Sequence, residues 1–309
     1  MKKIFAIAAF LMAAMSMNAQ LGGVKIAPKY QKGDTLMYRT TTDMNVGGQA
    51  VGTTTEERIV VTDVTADGYV IENSILKVTP KDADNLMSRM VTMQQEALQG
   101  TVLIFTADKD GHITGIRNME EVKTKVLASI DVMFSTLYKE HPEVADKMPK
   151  EALEQMTKQL SAAVTEEEML KSTNFSPSPF FLNGKTIMTG GVENSTNADG
   201  LKVRNLYFLT AADGSKVKVT QTLNMTPEET KQMIIEQVKK LMPDQAEMIE
   251  QNIDAVMQSG MLKMELEQTT DYEFAPTGWL KKATTEMKQN AMGQQTTNNS
   301  VLECIYSNR

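Results

Sequence analysis

The sequence predicts an α+β fold: a curled antiparallel β-sheet of hairpins, a possible half-barrel, packed on several amphipathic helices. Three observations predict it. Asp-Gly recurs between short alternating runs, at Asp67-Gly68, Asp110-Gly111, Asp199-Gly200 and Asp213-Gly214. Asp and Gly tolerate the positive φ angles of two-residue hairpin turns, so each pair reads as a corner between strands. Apolar residues elsewhere recur at helical spacing, and these stretches fall between groups of strands. A single sheet of this many strands is expected to curl, with one face on the helices.

Met1–Ala19 has the form of an export leader. Lys2 and Lys3 are its basic start, and the apolar run Ile4–Met15 is shorter than the roughly 20 residues that span a bilayer. Cleavage is expected after Ala19, leaving 309 − 19 = 290 residues, 20 to 309. No cysteine stands at the end of the apolar run to take a lipid, and no later segment approaches spanning length. The expected location is periplasmic or secreted.

The formal charge of −7 becomes −9 with the loss of Lys2 and Lys3. An acidic chain whose basic residues are scattered does not suit a phosphate backbone, so nucleic acid is excluded as the expected partner. Cys304 is the only cysteine, which rules out an intramolecular disulfide and a cysteine-based zinc cluster. It alternates with Leu302 and Tyr306 and is expected to share their face as a core residue.

In chain order, Gly33–Val46 and Thr53–Thr65 read as strands joined through a loose loop at Gly47, Gly48 and Gly52. Threonine dominates their facing ends, as its β-branch suits the pleat. Tyr69–Thr79 follows the Asp67-Gly68 corner, and Pro80 ends it for want of an N–H. Lys81–Gln99 reads as a helix closed by Gly100. Thr101–Thr106 and His112–Ile116 form a hairpin across Asp110-Gly111. The Asp108–Gly111 run is no EF-hand, since the first ligand position falls on Thr106 and the twelfth on Arg117.

Asn118–Glu140 reads as the clearest helix, capped by Asn118, with Met119, Val122, Val126, Ile130, Met133 and Leu137 on one stripe. Helical turns continue to Lys171, with Thr165 and Glu168 as a capping pair. The Pro-containing loop 172–180 is the expected joint between two halves, 20–171 and 181–309, of a single domain. In the second half, Lys185–Glu193, Leu201–Leu209 and Ser215–Leu223 read as strands. Thr226-Pro227-Glu228-Glu229 opens a helix, Pro243 a second, and Met261–Phe274 returns to strand. Trp279–Lys288 and Thr296–Tyr306 close the chain as a hairpin. A short echo, Thr41–Met44 against Thr284–Met287 with Thr53-Thr54 against Thr296-Thr297, hints at related halves.

Chemical motifs are sparse. His112 and His141 have no metal-spaced partner, and there is no G-x-S-x-G elbow or P-loop. Glu166-Glu167-Glu168 suits the positive start of a helix. Methionine is the anomaly: of 24, four leave with the leader and 20 remain. Met87, Met90 and Met93 would share one broad helical face, which either fills gaps in the core or lines a pliable apolar groove for a ligand. Soft thioethers also suit Cu(I), the less favoured alternative. No catalytic residue, metal ligand or cofactor is nominated.

Lys32–Arg39 (K-G-D-T-L-M-Y-R), the Asp-Gly hairpins and Phe181–Thr186 (F-L-N-G-K-T) together resemble uncharacterised secreted proteins of Gram-negative bacteria. The expected sheet also looks like the periplasmic lipoprotein-carrier fold. The resulting expectation is an exported, non-enzymatic protein that holds a lipid, another apolar ligand or an envelope protein in the concave face of its sheet. A purely structural envelope protein is the alternative, and a carboxylate hydrolase the remote third.

Overall fold

The computed structural model describes residues 23–46, 48–82, 88, 92, 95–96, 98–140, 164–196, 201–241, 250–254, 264–291 and 294–309. The leader, His141, Met87, Met90, Met93, the Asp199-Gly200 corner and most of the helices expected over 81–99, 142–164 and 243–260 lie outside them.

Among the described residues thirteen strands and three helices follow in order. They are β1 (Val24–Lys25), β2 (Thr35–Val46), β3 (Gln49–Val64), β4 (Gly68–Pro80), β5 (Val102–Asp108), β6 (Ile113–Ile116), α1 (Met119–Glu140), α2 (Glu166–Thr173), β7 (Thr186–Ile187), β8 (Gly191–Thr196), β9 (Lys202–Leu209), β10 (Lys216–Leu223), α3 (Pro227–Leu241), β11 (Glu265–Phe274), β12 (Leu280–Ala291) and β13 (Gln294–Ser307). Eleven strands form one antiparallel sheet, ordered β6-β5-β4-β3-β2-β13-β12-β11-β10-β9-β8, and β1 pairs with β7.

This corrects the α+β expectation. Among the described residues the protein is mostly β, 52% strand against 20% helix, and its sheet is neither closed nor strongly curled. The edge strands β6 and β8 do not meet. The physical reason lies in what covers the apolar face. A sheet that lacks other cover must bend over its own apolar side chains. Here Ile26, Tyr30, Phe180, Phe181 and Leu182 lie in one buried cluster with Leu36, Tyr38, Ile59, Ile71, Val217 and Tyr272 from the strands. The chain before β2 and the chain between α2 and β7 therefore act as plugs.

The second plug includes the end of the 172–180 loop and the residues just after it. Ser176, Phe180, Phe181, Leu182 and Asn183 are all buried. Strands of both halves meet along the central β2–β13 pair. The Thr-rich echo does not carry into the register either. Thr42 faces Thr53 across β2–β3, but Thr285 faces Ser300 across β12–β13, and Thr296 faces Gln289.

The Asp-Gly corners that the structure describes do join strands, though not as two-residue turns. Between paired Val64 and Tyr69 lie four residues, closed by Thr65 N–H on Gly68 O at 2.8 Å. Gly68 has φ 151°, and a Cβ there would sit 1.9 Å from Ala107 O, so no side chain fits. In the other two corners an aspartate side chain shapes the loop. Asp108 Oδ1 accepts Asp110 N–H (2.9 Å) and His112 N–H (3.0 Å), and Asp213 Oδ1 accepts Ser215 N–H (2.9 Å). The tight corner is the one expected to be loose: Val46 pairs with Gln49, and Gly52 lies inside β3 opposite Asp43.

Two helix starts follow the expected chemistry. Thr226 Oγ1 accepts Glu229 N–H at 3.2 Å while Glu229 Oε2 accepts Thr226 N–H at 2.8 Å, a reciprocal capping box. Thr165 Oγ1 accepts Glu168 N–H at 3.2 Å. At α1 the expectation changes: Asn118 Oδ1 takes Ile104 N–H (3.0 Å) and its Nδ2 donates to Val102 O (2.8 Å), so the side chain ties the helix to β5. Val122 and Val126 are buried beneath α1 as the stripe predicts.

The sheet has a wet face and a covered face, as antiparallel sheets commonly do. Ion pairs such as Arg39–Glu56 and Lys281–Glu273 stud the wet one. Along β2, residues Leu36, Tyr38, Thr40, Thr42 and Met44 turn to the covered, inner face by the two-residue period.

Candidate functional site

The inner face changes character along its strands. At the end nearest the plugs it is apolar: Leu36, Tyr38, Ile59, Val61 and Ile71 are buried. One row further on it carries hydroxyls. Thr270, Thr285, Ser300, Thr42 and Thr53 line up across β11, β12, β13, β2 and β3. The next row brings amides, with Asn205, Gln221 and Gln268 on β9, β10 and β11 and Asn298 on β13.

On the β8–β12 side this polar belt is closed upon itself. Gln221 Nε2 donates to Asn205 Oδ1 (2.6 Å), Gln268 Nε2 donates to Gln221 Oε1 (2.7 Å) and to Ser176 Oγ (3.1 Å), and Tyr272 OH donates to Ser176 Oγ (2.6 Å). Asn205 Nδ2 reaches Ser195 Oγ at 2.9 Å. Burial pushes the Tyr272 phenol well above its ordinary value, although the Ser176 contact opposes this. A network bonded throughout holds the plug to the sheet and has no free valence for a ligand.

The β2–β4 side is different. Thr53 and Thr55 Oγ1 both donate to Gln95 Oε1, at 3.3 and 2.9 Å, which places Gln95 over this part of the sheet. Beside them, Glu57 stands opposite Tyr38. Its carboxylate accepts Asn73 Nδ2 at 3.1 Å, and no salt bridge to it occurs among the described residues. Enclosure by the fold raises the Glu57 pKa, and the Asn73 contact offsets part of the shift. Asn73 Oδ1 is buried without a partner. Yet the Thr40, Thr55, Glu57 and Asn73 residues all retain accessible surface, whereas neighbouring Tyr38, Ile59 and Ile71 have none.

Two further clusters are structural ties. Asp34 Oδ2 accepts Trp279 Nε1 (3.2 Å), Gln31 N–H (2.9 Å) and Arg309 Nη1 (3.2 Å). Trp279 stacks on Tyr30 at 4.0 Å, and Asn183 Nδ2 donates to Tyr30 OH and to Gly111 O, both at 2.9 Å. The K-G-D and F-L-N-G segments thus meet at one end of the sheet. Lys185 Nζ binds both oxygens of Glu193, at 2.8 and 2.6 Å, and Tyr207 OH donates to the same carboxylate. Burial pushes Glu193 up, but Lys185 and Tyr207 together hold it below the ordinary range.

The proposed methionine groove of Met87, Met90 and Met93, and with it the copper alternative, lies outside the described residues. Among the described residues no group of His, Cys, Asp and Glu is placed to hold a metal. His112 is exposed. Cys304 is half-buried opposite Tyr38, and its thiol is raised by burial. A bulge between Cys304 and Tyr306 breaks the expected alternation and leaves Tyr306 exposed. Glu57 was missed by sequence reasoning. The available signal was its parity: it shares the two-residue period of Val51, Thr53, Ile59 and Val61, the covered side of β3.

Among the described residues no helix is long and apolar enough to cross a membrane. No family model matches the chain, and no curated protein matches it. Among solved structures, a protein of Bacteroides fragilis described as a candidate exported protein with a YmcC-like fold aligns with 94% of this chain and 100% of its own. The identity is 9% and the TM-score 0.25.

Proposed function

We propose that this is an exported, non-enzymatic binding protein whose ligand sits on the inner face over β2, β3 and β4. One observation supports the proposal: on the covered side of β3 and β4 the Glu57 carboxylate has Asn73 Nδ2 as its partner and no salt bridge among the described residues, and beside it Asn73 Oδ1 is buried without a partner. The apolar end of the face is occupied by Phe180, Phe181 and Leu182, so an apolar ligand would lie beside the hydroxyl and amide row instead of on bare core. Export rests on the leader pattern of Met1–Ala19.

A hydrolytic pair is not supported. The inward-facing strand acids Glu57 on β3 and Glu193 on β8 are seven strand steps apart, roughly 30 Å along the sheet at the usual spacing. Glycosidic chemistry needs two carboxyls within about 10 Å.

Native mass spectrometry of the mature chain from its own host tests the binding proposal. A small-molecule adduct is expected on the wild-type protein. It should be lost in Thr55→Phe and in Thr40→Phe, either of which fills the space. A bare protein, or an adduct retained in both folded variants, would refute it.

A further inference from the structure

The site proposed above has acceptors to spare and lacks donors. Glu57 offers two carboxylate oxygens, and among the described residues Asn73 Nδ2 is the one hydrogen-bond donor that reaches them. Asn73 Oδ1 has no partner at all, though buried. The hydroxyls of Thr53 and Thr55 are already spent on Gln95 Oε1. The nearest arginine along β3, Arg58, turns to the opposite face, and Arg39 on β2 is engaged by Glu56. A carboxylate enclosed without a countercharge is costly, and so is a buried amide oxygen without a donor.

We propose that this site takes an organic ammonium group carried on an apolar chain, held by the Glu57 carboxylate and Asn73 Oδ1. The assignment rests on the binding function proposed above and names its ligand class. An ammonium supplies one positive charge and three N–H donors, which matches two acceptors and a missing countercharge. A guanidinium is a poorer match, because its paired donors want both oxygens of one carboxylate and Asn73 already holds Glu57 Oε2. Ca2+ or Mg2+ is poorer still, since each takes about six or more oxygens. Half-buried Ile75, paired with Glu57 across β3–β4, and the ring of Tyr38 on its other side provide apolar flanks for the chain that carries the nitrogen.

Isothermal calorimetry on the mature protein at neutral pH tests this with three probes of equal chain length: n-octylamine, n-octanol and octanoate. The octylammonium ion should bind more tightly than octanol by about 10- to 100-fold, the factor that one charge-assisted hydrogen bond confers. Glu57→Gln, a neutral isostere, should remove that advantage and leave octanol affinity unchanged. Asn73→Leu should weaken octylammonium in a second, independent way. If Glu57→Gln binds octylammonium as well as the wild type does, the ammonium assignment is wrong. If octanol binds and octylammonium gains nothing over it, the binding function stands and the ammonium assignment falls. If none of the three binds, both fall.

Discussion

Replacing Phe180 by alanine asks whether the segment between the two halves is a tether or a core element. Phe180 is 1% exposed, and its ring meets Phe105 edge-on at 6.1 Å and 67°. A buried phenylalanine covers about 150–250 Å². At about 25 cal/mol per Å² its burial contributes roughly 4–6 kcal/mol. Measured truncations of this kind cost about 3–5 kcal/mol, with about 0.5–1.5 kcal/mol of that order coming from a good aromatic contact. Urea unfolding of the mature chain, followed by tryptophan fluorescence, is a suitable assay because Trp279 sits in the same cluster. Val192→Ala, at an exposed position on β8, is the control and should shift stability by no more than about 0.5 kcal/mol. A loss of less than about 1 kcal/mol in Phe180→Ala would refute the account of this segment as a plug.

Other outcomes follow from the same contacts. Asp34→Ala strips three donors of their acceptor, including buried Trp279 Nε1, and should cost about 3–5 kcal/mol in the same unfolding assay. Thr226→Ala removes half of the capping box of α3 and should cost about 1 kcal/mol. Gly68→Ala combines a disfavoured φ, worth about 1–3 kcal/mol, with the clash on Ala107 O, and should sharply lower soluble yield. For Glu57 the sign is set by its raised pKa: the folded state binds the proton more tightly than the unfolded state. Stability should therefore fall as pH rises through the interval between the unfolded and folded values. In ligand-free protein, Glu57→Gln should be more stable than wild type at neutral pH, with the gap closing toward pH about 4. A pH-independent difference would show that Glu57 is not held in the enclosure described.

Much of the fold was legible, and the failures have physical causes. The last hairpin, the strands after the plug and the Thr226 capping box follow from period-two alternation and local capping chemistry. Those signals are short-range. The three Asp-Gly corners among the described residues do lie between strands but with a different geometry, because loop length depends on where pairing stops, as at Val64 and Tyr69. Asn118 reads as a cap from its neighbours, but β5 supplies competing partners that no local pattern reveals. The loop around Pro177 and Pro179 has the composition of a linker. Its phenylalanines become core only because the sheet offers an uncovered apolar face.

The candidate site was almost invisible in the chain. Glu57 sits in T-T-T-E-E-R, which reads as an ordinary solvated strand, and Asn73 is sixteen residues away. Only the register of β3 on β4 brings them together.

By itself the sequence determined the alternation that makes the strands, the ends of several helices and the pattern of an export leader. It also determined that one cysteine cannot form an internal bridge. The tertiary structure alone decided that the sheet stays open, that two stretches of irregular chain seal its apolar end, and that an acid on β3 has no countercharge among the described residues. The division is physical. Strand and cap preferences act over a few residues, whereas the covering of a sheet and the company of a buried charge depend on segments far apart in the chain.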